Sequence, residues 1–137
     1  MTTIHDSVIL DISKVHDTRG NLSVIQEGSI PFEMKRIYYL YDIPSGGRRG
    51  GHSHIDQHEL LIALSGSFDV ILNDGKEQKT ITLNKPNVGL LIVKGIWREL
   101  ENFSSGSVCL VLASDVFKEE DYIRDFEQYR LSKNGIS

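Results

Sequence analysis

Three histidines lie within seven residues of the sequence, at His52, His54 and His58, and Glu59 follows the last of them. Side chains at positions i and i+2 of a β-strand project to the same face, so His52 and His54 can converge on one pocket. Imidazole is the side chain that takes up and releases protons near neutrality. The pair therefore predicts general acid–base chemistry, in which one ring abstracts a proton and the other donates one.

The residues around this pair are spaced in a recognisable pattern. Five residues separate Gly46 from the run His52-Ser53-His54, four residues separate that run from Glu59, and six residues separate Glu59 from Gly66. This spacing resembles the first sequence motif of the cupin superfamily. The resemblance implies a small antiparallel β-barrel, or jelly roll, whose site lies inside the mouth of the barrel.

Many cupins bind a metal, and a second cupin motif then supplies one further histidine ligand. Residues 89–102 match that motif in their glycine, spacing and terminal asparagine, but Arg98 occupies the histidine position. A guanidinium group stays protonated and cannot donate a lone pair to a metal. His52, His54 and Glu59 still make up the two-histidine, one-carboxylate set used by iron. Because Arg98 would place a positive charge in the same cavity, we predict no bound metal and no cofactor.

The elements that must position these residues are short strands. Stretches rich in β-branched and aromatic residues predict strands at residues 8–12, 22–25, 36–41, 60–64, 67–72, 79–83, 89–93 and 107–113. Turn residues separate them, and Asn73-Asp74-Gly75 predicts a hairpin because Asp and Gly accept a positive φ. Many short, regularly spaced strands are typical of a barrel or a two-sheet sandwich. The predicted fold class is an all-β cupin jelly-roll barrel of short antiparallel strands.

The pattern changes near residue 118. Large side chains recur at spacings of three and four between residues 119 and 130, which predicts a short C-terminal α-helix packed against the sheet. They are Tyr122, Ile123, Phe126, Tyr129 and Arg130. No internal repeat or linker interrupts the sequence, so we predict that residues 1–137 form a single cupin domain with its core at about 6–130.

Composition narrows the classes of function. The chain has 137 residues, of which 39% are hydrophobic and 25% charged, which suits a globular core and excludes a disordered or fibrous protein. A formal net charge of −4 gives no general attraction for nucleic acid, and no apolar stretch approaches the roughly 20 residues of a membrane helix. Residues 1–6 show no secretory leader, and Cys109, the single cysteine, excludes an internal disulfide. We therefore expect a cytoplasmic protein without nucleic-acid or membrane partners.

A narrower resemblance covers about residues 6–130. The segments that carry it occur in order at residues 17–22, 30–32, 35–40, 49–54, 64–67, 112–115 and 121–124. In these segments the chain is similar to the WxcM-like cupins, the sugar 3,4-ketoisomerases that act on TDP-4-keto-6-deoxyglucose. Three departures from the family pattern occur, and one of them is the run Asp56, Gln57 and His58 in place of a basic and apolar run. Ile55 stands where a lysine usually follows the His-x-His pair, and Arg98 stands where a histidine commonly follows Trp97.

The resemblance implies an isomerase that moves the ketone of a TDP-linked 4-keto-6-deoxyhexose from C4 to C3. The product is a precursor of 3-amino-3,6-dideoxy sugars for surface glycans such as lipopolysaccharide. Family members use the histidines of the His-x-His pair as acid and base and need no metal. A homodimer is implied as well, and a strand at residues 8–12 could pair with the partner's sheet. We predict His54 as the base and His52 as its partner, with the reverse order left open.

Further site residues follow from the chemistry. Removing a proton next to a ketone develops negative charge on oxygen, which Tyr38 or Arg98 could stabilise, and Glu59 could orient a histidine. Arginine offers forked donors to phosphate oxygens, so the predicted ligands of the diphosphate are Arg19, Arg36 and Arg49. An apolar cup around thymine would suit Ile37, Phe32 or residues of a second subunit.

Three other functions compete with this one. A nucleotide-sugar 3,5-epimerase shares the cupin fold, a histidine base and an Asp-x-Arg-Gly segment, but it is generally longer and lacks the His-x-His pair. A metal-dependent cupin dioxygenase or isomerase is disfavoured by Arg98. A non-catalytic sugar-binding cupin would have lost its activity through the changes at Ile55 and Arg98. The ketoisomerase is the preferred interpretation because it accounts for the largest number of segments.

Overall fold

The computed structural model of the chain describes residues 1–135, which contain twelve β-strands and one α-helix. The strands are β1 (Ile9–Asp11), β2 (Ser13–Asp17), β3 (Gly20–Val24), β4 (Arg36–Leu40), β5 (Arg49–His54), β6 (Glu59–Ser65), β7 (Phe68–Asn73), β8 (Gln78–Leu83), β9 (Val88–Ile92), β10 (Trp97–Glu101), β11 (Val108–Ala113) and β12 (Tyr122–Ile123). The helix is α1 (Phe126–Lys133), and two single turns of 3-10 helix lie at Ile4–Asp6 and Glu119–Asp121. Within the described residues no helix is both long and apolar enough to cross a membrane.

Two five-stranded antiparallel sheets build the core. The first has the strand order β1-β9-β6-β11-β4 and the second the order β12-β5-β10-β7-β8. The main hydrophobic cluster joins Leu61 and Val111 of the first sheet to Val70 and Leu100 of the second, so the sheets pack face to face. The predicted all-β jelly roll with a short C-terminal helix is confirmed.

The second sheet shows how the sequence sets this packing. Phe68, Val70 and Leu72 of β7 are buried, whereas the alternate residues of the strand are partly exposed. Period-two alternation directs one face of a strand to the core. The predicted hairpin follows directly: β7 pairs with β8 from Phe68 opposite Leu83 to Asn73 opposite Gln78, and Gly75 adopts a φ of 90° in the turn.

A second apolar cluster covers the outer face of the first sheet. Ile30 and Phe32, from the segment between β3 and β4, pack there with Leu60, Ile62 and Leu112. Phe32 therefore lies on the side of the sheet opposite the main core.

The hairpin of β2 and β3 differs from both sheets. All ten residues of its two strands are exposed, and the strands pair only with each other. Val15 is 60% and Leu22 56% exposed. This hairpin therefore adds nothing to the core of its own protomer.

The predicted C-terminal helix is shorter than expected at its start. It begins at Phe126 rather than near residue 119, with Asp125 as its N-cap accepting a hydrogen bond from the amide of Gln128. Tyr122 and Ile123, which share a helix face by spacing, instead form β12 and pair with β5. Ladder hydrogen bonds to an unpaired sheet edge satisfy backbone groups that a first helical turn would leave free.

Candidate active site

A cavity of about 390 Å³ opens between the two sheets. Six of the eight predicted site residues line it, and the four strands β4, β5, β6 and β10 contribute all six. They are Arg36, Tyr38, Arg49, His52, Glu59 and Arg98. The sequence pattern thus located the cavity, but His54 and Arg19 do not line it.

Strand alternation explains most of this lining. On β4, Arg36 and Tyr38 face the cavity, and Ile37 between them is 53% exposed on the other face. Ile37 therefore cannot cup a nucleoside in this cavity, and Phe32 lies on the outer face of the first sheet. Neither side chain lines this cavity within one protomer, and the apolar cup around thymine stays a prediction.

An irregularity in β5 brings Arg49 into the cavity. Arg98 of β10 is opposite His52, but Leu100 is opposite Arg49, so β5 holds one extra residue between these pairs. Gly50 lies in that bulge with a φ of 79°, and a Cβ there would come within 2.8 Å of Leu100. Only glycine fits such a bulge without strain. The bulge lets Arg49 and His52 line the same cavity.

The two histidines of the pair occupy different environments. His52 is partly exposed to the cavity, whereas the His54 side chain is fully buried behind it. Their Nε2 atoms are 3.1 Å apart. Burial, with the charge of Arg98 and the neighbouring His54, lowers the pKa of His52 to about 2, so its ring is neutral at neutral pH. His52 is the ring of the pair that lines the cavity, and the predicted order, with His54 as the base, stays a prediction.

Glu59 is the centre of the buried cavity floor. Its Oε1 accepts a hydrogen bond from Arg98 Nη1 at 2.5 Å, and its Oε2 accepts from Tyr38 at 2.7 Å and from Gln57 Nε2 at 2.9 Å. Burial alone would raise the pKa of Glu59, but the Arg98 charge and the contacts with His54 and Tyr38 lower it to about 2. Burial and the Glu59 charge raise the pKa of Tyr38, which keeps its proton.

Arg98 lies in the floor with 1% of its surface exposed. Its Nε and Nη2 atoms donate to the carbonyl of Ile96 at 3.4 and 3.1 Å, and Nη1 donates to Glu59. A guanidinium has five N–H donors, so two of them take no part in these three hydrogen bonds.

The residues of the floor do not suit a metal ion. His52, His54 and Glu59 offer ligand atoms that lie within 4.8 Å of one another. Both Glu59 oxygens, however, already accept hydrogen bonds, and one of the donors is the Arg98 guanidinium. A fixed positive charge against the carboxylate disfavours a cation at the same place.

The structure adds two residues that sequence reasoning missed. Asp121 Oδ2 is 3.0 Å from Nδ1 of His54. The ring of Tyr122 lies against both imidazoles, with centroid distances of 5.1 Å to His52 and 4.4 Å to His54. The spacing of residues 119–130 predicts a helix, so it gave no indication that Asp121 or Tyr122 would contact the histidines. The segment 121–124 is nevertheless one of those that carry the family resemblance.

The arginines divide into two groups. Arg36 is held in the cavity by the Tyr38 ring and by the hydroxyl of Tyr122 at 3.3 Å, and Arg49 is exposed at the mouth. Arg48, which was not predicted, also lines the cavity and pairs with Glu101 at 2.8 Å. Arg19 lies in the exposed β2–β3 hairpin, paired with Asp17. It does not reach the cavity of its own protomer.

A jelly roll with a His-x-His pair and a glutamate inside its mouth is a cupin. The chain belongs to the family described as "FdtA: WxcM-like, C-terminal", which matches residues 5–134. It is 40% identical over 126 residues to a TDP-4-oxo-6-deoxy-alpha-D-glucose-3,4-oxoisomerase of Aneurinibacillus thermoaerophilus, covering 91% of each chain. The family predicted from the sequence is confirmed.

Solved structures give the same result. A 3,4-ketoisomerase from Helicobacter canadensis is 45% identical, with a TM-score of 0.91 over 94% of this chain and 98% of that one. A sugar 3,4-ketoisomerase from Thermoanaerobacterium thermosaccharolyticum, in complex with TDP, is 37% identical, with a TM-score of 0.94 over 97% and 98% of the two chains.

Proposed function

We propose that this protein is a TDP-4-keto-6-deoxyglucose 3,4-ketoisomerase. The observation that carries the proposal is the His52 imidazole, which lines the cavity with its Nε2 atom 3.1 Å from the Nε2 atom of the buried His54 imidazole. A ketone can move to the neighbouring carbon only if a base removes one C–H proton and a proton returns one carbon away. The activities named for the relatives agree with this chemistry.

The reaction needs no external oxidant, because it redistributes hydrogen within one molecule. His52 removes the proton from C3 of the sugar, and the C3–H electron pair forms an enediolate across C3 and C4. The proton then returns from His52 to C4, while the proton of the C3 hydroxyl passes to the C4 oxygen, so the product has a ketone at C3 and a hydroxyl group at C4. Tyr38, which keeps its proton, and the free donors of Arg98 stabilise the enediolate oxygens.

The diphosphate lies at the mouth of the cavity in this proposal. Arg36 and Arg49 line the mouth, and Arg48 adds a third guanidinium next to them. Forked guanidinium donors match phosphate oxygens, and three such groups suit a substrate with two negative phosphates. The product would feed 3-amino-3,6-dideoxy sugars into surface glycans.

Incubation with TDP-4-keto-6-deoxyglucose in deuterated water tests the activity. NMR should show the 3-keto isomer with deuterium at C4, because the histidine exchanges its proton with solvent before returning it. A product changed only in configuration at C3 or C5 would identify an epimerase. A folded protein that binds TDP but does not turn over the sugar would identify a non-catalytic sugar-binding cupin.

We also propose a homodimer, in which the β2–β3 hairpin packs against a second copy of this chain. An isolated two-stranded hairpin is only marginally stable in water, and Val15 and Leu22 of this one are largely exposed. The contact would carry Arg19 towards the partner and could supply the apolar cup for thymine.

Sedimentation should give about twice the mass of one chain. Leu22→Asp should shift the protein to monomer, because it places a charge in the proposed contact. Val116→Asp is the matched control, since Val116 is 55% exposed and is not part of the hairpin. A monomeric parent protein at micromolar concentration would contradict the dimer.

The cytoplasm is the proposed compartment, where the buried, unpaired thiol of Cys109 stays reduced.

A further inference from the structure

Asp121 reaches the buried histidine from a distant part of the chain. It closes the 3-10 turn Glu119–Asp121, immediately before β12 pairs with β5. Its Oδ1 accepts the backbone amide of Asp56 at 2.7 Å, and its Oδ2 accepts the amide of Gln57 at 3.3 Å as well as contacting His54 Nδ1. Three donors converge on one carboxylate, so its orientation is fixed.

This contact decides where the proton of His54 lies. Both oxygens of Asp121 accept backbone amides and so present acceptors to the ring, which places the proton of this contact on Nδ1 of His54. In the neutral ring Nε2 is then an acceptor. The imidazole cannot turn over to the other tautomer without losing the Asp121 bond inside a fully buried site.

The contacts of Gln57 independently indicate that Nε2 of His54 accepts a hydrogen bond. Its Oε1 accepts from Arg36 Nη2 at 3.5 Å, which directs its Nε2 inward. That amide nitrogen, which can only donate, is 3.4 Å from Nε2 of His54 and 2.9 Å from Oε2 of Glu59. Glu59 Oε2 is 3.5 Å from the same His54 atom, farther than from either of its own donors. Nε2 of His54 therefore faces a donor and acts as an acceptor.

The remaining contact of His54 extends this order to His52. Since Nε2 of His54 accepts, the Nε2 atom of His52 at 3.1 Å must donate to it. A neutral His52 with its proton on Nε2 has a free lone pair on Nδ1. In this arrangement Nδ1 is the nitrogen of the His52 ring that can accept a proton.

We propose that Asp121 is a positioning residue of the isomerase: it fixes His54 as the Nδ1–H tautomer and thereby leaves Nδ1 of His52 free to take the proton from C3. This inference rests on the proposed function for its catalytic consequence. When His52 gains the C3 proton on Nδ1, its Nε2–H remains shared with His54, and Asp121 stabilises the positive charge through the His54 ring. The proton returns from Nδ1 to C4, so the chain of three residues ends unchanged.

A purely structural role is the competing explanation, because Asp121 also caps two backbone amides. Asp74 provides the matched control. It accepts the amides of Ile4, Lys76 and Glu77 in the same way but contacts no histidine. Asp121→Asn and Asp74→Asn both replace an amide-capping carboxylate by a side chain that must present a donor.

We expect Asp121→Asn to lower kcat by about 10²–10⁴-fold, with KM and TDP affinity nearly unchanged, because the wrong tautomer blocks the base and not the binding. Asp74→Asn should lower stability and leave kcat unchanged. Equal kcat in Asp121→Asn and the parent protein would overturn the proposal, as would parallel losses of kcat in both variants.

Nitrogen-15 NMR of labelled histidine tests the tautomer directly and does not depend on the variant folding. In the parent protein Nδ1 of His54 and Nε2 of His52 should be protonated, and Nδ1 of His52 should be bare. A proton on Nε2 of His54 would overturn the proposal whether or not the protein turns over the sugar. A protein with the expected tautomers but no isomerase activity would instead contradict the proposed function alone.

Discussion

The cavity floor and the β2–β3 hairpin hold the same kind of ion pair in opposite settings. Arg98 and Glu59 are 1% and 2% exposed in the floor, whereas Arg19 and Asp17 are 88% and 43% exposed in the hairpin. An exposed pair contributes little because water already solvates both charges. A buried pair cannot lose one partner without leaving an uncompensated charge in a low dielectric. An arginine–carboxylate pair is therefore replaceable in the hairpin, whereas its two members depend on each other in the cavity floor.

Histidines show the same contrast. His16 lies in the exposed hairpin against Asn21, with no carboxylate or second imidazole in its hydrogen bonds. His52 and His54 lie in the floor against each other, and Asp121 and Glu59 approach the second ring. Catalytic use of an imidazole requires this kind of fixed surrounding, because the proton must move along a defined path. The difference between the two regions predicts which substitutions affect activity.

The largest expected effect is on the rate. His52→Asn should lower kcat by about 10²–10⁴-fold, since it removes the positioned base, and His54→Asn should follow it. His16→Asn is the matched control and should leave kcat unchanged. Deuterium incorporation at C4, followed by NMR, measures the three proteins side by side.

Full activity in a His52/His54 double variant would break the comparison, because the floor would then contain no essential imidazole. A large loss of kcat in His16→Asn would also contradict the comparison, because the exposed hairpin would then contain an essential imidazole. That second result would place the hairpin in a working site, which only a second copy of the chain could complete.

The next largest effect is on stability. Arg98→Met should lower the free energy of unfolding by about 3–5 kcal/mol, because it leaves the Glu59 carboxylate buried without its cation. Arg19→Met should cause no measurable change. Urea unfolding monitored by Trp97 fluorescence compares them. An Arg98→Met protein as stable as the parent would show that Glu59 can accept a proton in the floor without penalty, and Glu59→Gln in the same background would then have no effect.

The comparison also separates what the sequence predicts from what it does not. The positions of His52 and Glu59 in the floor follow from strand alternation and motif spacing, which are local properties. Asp121 meets His54 across 67 residues, and only the fold brings them together. Tyr122 was assigned to a helix because its spacing fits both a helix face and a short strand, and the free edge of β5 decided between them.

Strands with weak local signals were missed for a related reason. Residues 49–54 contain Gly50 and Gly51, which disfavour a strand, yet the bulge at Gly50 is what turns Arg49 into the cavity. β2 and β10 are rich in charged and polar residues. The tertiary environment pairs such strands although their composition gives little indication of it.

A smaller effect is expected on nucleotide binding. Arg49→Ala should weaken the binding of TDP by about 1–3 kcal/mol, because a charge-assisted hydrogen bond to the diphosphate is lost. Arg19→Ala sharpens the comparison, since Arg19 lies outside the cavity of its own protomer and should weaken TDP binding only in a dimer. Titration calorimetry measures both variants, and Arg130→Ala, on α1, is the surface control. Unchanged affinity in Arg49→Ala would place the diphosphate elsewhere.

The smallest expected effect is on the pH dependence of the free energy of unfolding. The pKa of His52 falls from 6.5 to about 2 on folding because the ring is buried near Arg98. Between these values the unfolded chain binds a proton that the folded chain excludes, so stability rises with pH across this interval and is lost as the pH falls below 6.5. Glu59, whose pKa falls from 4.5 to about 2, adds its own loss of stability only below 4.5.

In the interval between 6.5 and 4.5, His52→Asn should therefore flatten the curve of unfolding free energy against pH by at most about 1.4 kcal/mol per pH unit. Burial and Lys94 also lower the pKa of His58, which is present in both proteins, so the difference between the two curves isolates His52. Urea unfolding at a series of pH values gives the curves, and identical slopes would mean that folding does not lower the pKa of His52.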